Sequence, residues 1–298
     1  MSQAYNPIIV ALDLDSAGEA RSLVERIGDA VDFYKVGLEL YAAAGMEFVR
    51  ELIAAGKKVF LERRESEIAE LLARGVAVCL VDVRGTGETD PPGGRYWVEP
   101  IVEIAAEELM TGRTLLGSRL GDMRAVCDFL RMNPSLVDAG RLAVWGESFG
   151  DVNPPDYVDP PLQTKLPNEL AEPIGAHLAV LTAMFNPHVE AVLARGGLTS
   201  FESLLDGPAC HVCLDDIVPG VLSAGDLADV VGALAPRAVR IEAPVTGRNI
   251  RATEGRIKRD YEPAFAGYRA APKKLRVSAT HSDDVAEWLA KALASPAR

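Results

Sequence analysis

Apolar residues open the chain as a short block, Ile8 to Leu12, too brief for a helix, which predicts a strand. Ser16 and Glu19 then form an S-x-x-E capping box, whose hydroxyl and carboxylate can satisfy the unpaired N–H groups of a first helical turn. A helix is therefore expected from residue 17, with Leu23, Val24 and Ile27 on its apolar face and Gly28 at its end. A second strand follows at Asp32 to Gly37, a helix at 39–55 stopped by Gly56, and a third strand at Lys58 to Glu62. This βαβαβ opening implies parallel pairing with right-handed crossovers. After a helix at 65–74, the unbroken apolar run from Val76 to Val83 predicts a strand buried on both faces, so that the parallel sheet persists past residue 80. A polar, Pro- and Gly-rich loop covers Arg84 to Tyr96. A helix at 117–132 leads into a strand at Arg141 to Trp145. Later strands are expected at Val189 to Leu193, Ala238 to Ala243 and Leu275 to Val277, with a last helix at Asp283 to Leu293. The alternation marks an α/β protein without internal repeats.

Composition narrows the class. Over 298 residues, 25% charged and 48% hydrophobic residues describe an ordinary globular chain. Lys and Arg number 31 against 43 Asp and Glu, and the net charge of −12 opposes binding to nucleic acid or to an anionic membrane, which favours a small-molecule substrate. Met1 to Pro7 has neither a basic nor an apolar leader pattern, and no run reaches a membrane span, so a cytoplasmic location is expected. Cys79, Cys127, Cys210 and Cys213 are too scattered for a disulfide framework. Cys210 and Cys213 have the spacing of half a metal site, but His177, His188 and His281 stand alone, so neither a metal nor another cofactor is expected. His177 and His188 fall in or beside a helix at 174–186, and His211 in a loop.

The strand at 141–145 runs into Gly146-Glu147-Ser148-Phe149-Gly150, a G-x-S-x-G. Glycines two residues either side of the serine permit a strained strand-to-helix turn that exposes the hydroxyl at the sheet edge, and the Phe149 N–H can then face a developing oxyanion. Serine is a poor nucleophile without an adjacent base. His281, between the last strand and the last helix, stands where the order nucleophile, acid, histidine requires it. The proline-rich stretch 151–175 has the irregular character of a cap over the nucleophile.

These motifs, with Val81-Asp82-Val83-Arg84-Gly85-Thr86-Gly87-Glu88-Thr89 as a D-x-R-G-x-G-x-[ST] segment, make residues 58–298 similar to the α/β-hydrolase superfamily, in particular its acetyl-xylan-esterase-like and dipeptidyl-peptidase-like members. The resemblance implies a three-layer, mostly parallel sheet with helices on both faces. It also implies a small ester substrate, with Ser148 attacking, His281 as base and then acid, and Phe149 as one oxyanion donor. It places an acid in the loop after the penultimate strand, where Thr246 stands. Glu254, Glu202 and Asp206 are substitutes. Asp82 and Arg84 are read as a pair that fixes their loop.

The first 62 residues resemble a different family, orotidine 5′-phosphate decarboxylase, a TIM barrel. Pro7 to Asp13 is similar to its first strand and Phe33 to Gly37 to its second, so the resemblance implies substrate contacts for Asp13 and Lys35. The family's D-x-K-x-x-D motif falls on Glu62, Arg64 and Glu67; the signs of charge persist, but a guanidinium is a poor proton donor. The chain thus reads as a composite: a decarboxylase-like βαβαβ segment of TIM-barrel type, 1–62, added to a hydrolase-like domain, 63–298. Three functions compete: a serine ester hydrolase, a decarboxylase-like lyase, and a catalytically silent fusion.

Overall fold

The structure, a computed structural model, describes residues 10–12, 14, 16–36, 38–61, 65–86, 89, 100–148, 150–158, 170–208 and 210–294. The chain divides into two compact units, residues 1–78 with 284–290, and residues 79–283 with 291–298.

The first unit contains β1 (Val10–Leu12), α1 (Ala17–Ile27), β2 (Phe33–Val36), α2 (Leu38–Ala54), β3 (Lys58–Leu61) and α3 (Glu65–Ala73). The strands form a parallel sheet in the order β1-β2-β3, with Val10 beside Tyr34 and Tyr34 beside Val59. The serine half of the expected capping box is formed: Ser16 Oγ accepts from Glu19 N–H at 3.3 Å, and Gly28, at φ 58, ends α1. Leu12, Tyr34, Val36, Leu40, Phe48 and Leu52 form a core within this unit. The three strands therefore make a sheet of their own, where the sequence reading added them to the larger one.

The second unit holds α4 (Pro100–Met110), α5 (Leu115–Met132), β4 (Leu142–Glu147), α6 (Ile174–Phe185), β5 (Val189–Arg195), α7 (Leu227–Ala233), β6 (Ala238–Glu242), α8 (Glu254–Asp260), α9 (Glu262–Gly267) and β7 (Leu275–Ser278); α10 (Val285–Ala294) follows. Its sheet has four parallel strands in the order β4-β5-β6-β7, an α/β arrangement with helical crossovers. Of β5 only Glu190 is not buried, which explains its apolar run from Ala191 to Ala194, and all of β6 is buried, Arg240 and Glu242 included. β4 lies at one edge with Val144 as its one buried residue. The main core joins Val192, Val239 and Ile241 of the sheet to Val180 of α6, Val231 of α7 and Tyr261 between α8 and α9. α7 and α9 approach so closely that a Cβ on Gly267 would lie 2.6 Å from Gly232 O. Among the described residues, no helix is long and apolar enough to cross a membrane.

One expected strand is absent. Residues 76–83 are irregular, with Leu80 68% exposed and Val83 buried at 7% against Leu116 and Leu178. An apolar run becomes a strand only where a neighbour supplies ladder hydrogen bonds, and the sheet of this unit begins instead at Leu142. Arg84 does fix its loop, but through Asp122 (2.5 Å) rather than Asp82; the guanidinium holds the Asp122 carboxyl below its usual range.

Candidate functional site

The carboxyl ends of parallel strands are where α/β sheets present functional groups, because loops diverge there and leave a crevice. Ser148 stands one residue beyond β4. Its N–H donates to Arg195 O at 3.0 Å, continuing the ladder past the strand. The site is tight. A Cβ on Gly196, at φ +69, would lie 2.8 Å from Ser148 Cβ, and one on Gly146 would lie 1.7 Å from Gly175 O, at the start of α6. The first glycine of the pentapeptide thus lets α6 approach β4.

Among the described residues, the strained strand-to-helix turn expected of G-x-S-x-G is not seen. Among described non-glycine residues, only Ala243 and Asn249 have left-handed φ, and the first described helix after Ser148 is α6, beginning at Ile174. Phe149 and Asp13 lie outside the described residues; Lys35 lies on β2, with its side chain outside them. His281 is exposed, in the loop that follows β7, so that it and Ser148 both lie beyond the carboxyl ends of strands of the same parallel sheet. Thr246 is committed to a turn, its Oγ1 accepting from Arg248 N–H at 3.3 Å. Of the substitute acids, Asp206 pairs with Arg256 at 2.5 Å, Glu202 is exposed, and Glu254 sits in the first turn of α8.

A set of charged side chains missed by the sequence reading spans this edge. Glu147 ends β4, Arg195 ends β5 and Glu242 ends β6; their side chains are 6%, 1% and 0% exposed. Arg195 Nε donates to Glu242 Oε2 at 2.7 Å, and its Nη1 lies 3.8 Å from Glu147 Oε2. Trp145 Nε1 donates to the same Glu147 oxygen at 3.2 Å, and the Arg195 guanidinium lies 5.3 Å from the centre of a Trp145 ring. The loop after His281 joins the set: Ser282 N–H donates to Glu242 Oε2 at 3.3 Å, and Arg195 Nη2 donates to Ser282 O at 2.9 Å. The signal in the sequence was a charged residue closing each of three successive apolar strands, with signs minus, plus, minus.

The buried imidazole of His177, on α6, has a different role. Its Nε2 accepts from Leu198 N–H at 3.1 Å, so the proton sits on Nδ1, which faces Asp216 at 2.7–2.9 Å. Burial pushes the Asp216 carboxyl above its usual range. With both nitrogens engaged, His177 is a structural group. Beside Asp216, Asp215 pairs with buried Arg119 at 2.7 Å. Burial pushes the Cys213 thiol up to about 11, and among the described residues no cluster of His, Cys, Asp and Glu gathers a metal-binding set.

Comparison with known proteins places a family match at the amino-terminal end of the chain. Residues 6–64 match the family model described as orotidine 5′-phosphate decarboxylase / HUMPS family. The orotidine 5′-phosphate decarboxylase of Nitrobacter winogradskyi is 51% identical over 74 residues, 25% of this chain and 31% of that protein. That of Caulobacter vibrioides is 46% identical over 71 residues, 24% and 30% of the two. The chain thus spans about a third of the length of these curated relatives. Among solved structures, a candidate acetyl xylan esterase from Bacteroides fragilis aligns with 74% of this chain and 50% of its own, at 14% identity and a TM-score of 0.48. The amino-terminal segment, residues 6–64, is thereby similar to part of the orotidine 5′-phosphate decarboxylase family.

Proposed function

We propose that the protein is a serine hydrolase that cleaves a small ester through an acyl-enzyme, using Ser148 and His281. The observation that supports this reading is that, at the carboxyl ends of the strands of one parallel sheet, the Ser148 N–H and the carbonyl of Ser282, the residue after His281, are both hydrogen-bonded to Arg195. Ser148 Oγ attacks the ester carbonyl while His281 takes its proton. The tetrahedral oxyanion is stabilised by the Phe149 N–H, and collapse expels the alcohol, protonated by His281. Water then repeats attack and collapse, releasing the carboxylic acid and restoring Ser148. On this reading residues 63–298 form a three-layer α/β-hydrolase-like domain and residues 1–62 a decarboxylase-like segment. A fluorophosphonate probe should label Ser148, and His281→Ala should slow labelling by about 10³-fold. Labelling of other residues only, or an unchanged rate in His281→Ala, would rule the mechanism out.

The match over residues 6–64 favours a second, narrower reading: the first unit binds a pyrimidine nucleoside monophosphate through Asp13 and Lys35. Titration calorimetry with uridine monophosphate, beside Asp13→Ala, tests it. Equal heats from both proteins would reject it.

A further inference from the structure

We propose that Arg195 and Glu242 are positioning residues for the hydrolytic pair, holding the His281 loop in register with Ser148. The inference rests on the serine-hydrolase reading. Both backbone polar groups of Ser282, the residue after His281, are taken by charged side chains: its N–H donates to Glu242 Oε2 at 3.3 Å, and its carbonyl accepts from Arg195 Nη2 at 2.9 Å. The two side chains are bonded to each other at 2.7 Å and come from adjacent strands, β5 and β6. The other side of the guanidinium faces Glu147, immediately before Ser148, and the carbonyl of Arg195 accepts the Ser148 N–H. One residue therefore touches the neighbour of the nucleophile and the neighbour of the base.

Its buried position gives this linkage its stiffness. Arg195 and Glu242 are 1% and 0% exposed in their side chains, and the planar guanidinium fixes the direction of each donor, which a flexible ammonium would not. His281 is exposed, and the backbone beside it is held through Ser282. Misplacing a catalytic group by about 1 Å costs on the order of 10²-fold in rate.

The test separates positioning from stability. Removing Arg195 alone leaves Glu242 buried without the cation bonded to it at 2.7 Å, whereas Glu147, 3.8 Å from Arg195, keeps its hydrogen bond from Trp145 Nε1, so Arg195→Met alone is expected to unfold the protein in part. The double variant Arg195→Met/Glu242→Met replaces the ion pair by apolar groups of similar length, which restores stability in other buried pairs. Expected are a melting temperature near that of the parent, faster amide exchange over residues 279–282, and a kcat for a short-chain ester lowered about 10- to 100-fold with little change in KM. Arg195→Lys, which keeps the charge but loses the fork, should fall between the two. Recovery of kcat together with the melting temperature, or unchanged exchange over 279–282, would overturn the positioning role. A parent protein with no Ser148-dependent turnover, its exchange over 279–282 nonetheless accelerated in the double variant, would instead overturn the hydrolase reading and the catalytic part of the proposal with it.

Discussion

Two glycines separate geometry from propensity at the residue scale. Gly146 has no room for a side chain, since an added Cβ would lie 1.7 Å from Gly175 O, and backbone has to move to relieve it. Gly146→Ala is expected to cost about 3 kcal/mol or more in urea unfolding, at the upper end of overpacking penalties. Gly121, inside α5, has nothing within 4 Å of an added Cβ. Gly121→Ala should stabilise by about 0.5–1 kcal/mol through helix propensity. Loss of stability in the second, or tolerance of the first, would contradict the packing described. Arg84 and Asp122 make a pH-dependent pair at the same scale. The folded Asp122 carboxyl is held below its unfolded range by the Arg84 hydrogen bond, so its contribution is present above about pH 4 and lost as pH falls through the folded value. Because Arg84 is half exposed, Asp122→Asn should cost no more than about 1 kcal/mol at pH 7. The variant should also lose less stability than the parent between pH 5 and about pH 2, measured by urea titration at each pH.

At the scale of elements, the strands of the second sheet were legible because each is an apolar run followed by a break. The expected 189–193 and 275–277 became Val189–Arg195 and Leu275–Ser278, the difference lying in the polar residues that close each strand. Those closing residues form the buried charged set at the carboxyl ends of the strands. Glu147, Arg195 and Glu242 were invisible to a reading that ended each strand or its interest at the last apolar residue. α7, α8 and α9 were not anticipated because helices of seven, seven and six residues leave too few turns for a periodic signal. Residues 76–83 failed in the opposite direction: their hydrophobicity reports a tendency to be buried, and the strand needed a partner. The environment of that run is checkable by substitution. Leu80→Ser, at a position 68% exposed, should change stability by less than about 0.5 kcal/mol. Val83→Ser, at 7% exposed and packed on Leu116 and Leu178, should cost about 2 kcal/mol. Equal costs at the two positions would mean that the run is a buried strand after all.

For the whole molecule, the decisive feature is that the decarboxylase-family match is confined to residues 6–64, while each of the two units has a core of its own. The amino-terminal signal was strong in sequence because β1, β2 and their intervening helix carry family-specific residues at fixed spacing. The carboxyl-terminal signal was a pentapeptide and a histidine more than a hundred residues apart, and only folding the intervening strands side by side gives that spacing a meaning. The acid stayed illegible because the loop after β6 offers Thr246 at the expected place, while the buried carboxylates Glu147 and Glu242 stand at the last positions of β4 and β6. The most direct measurement of the central claim is a time course of p-nitrophenyl acetate hydrolysis by the full chain beside Ser148→Ala. A serine mechanism predicts turnover by the parent that falls to the buffer rate in the variant. Equal rates in the two proteins would contradict it.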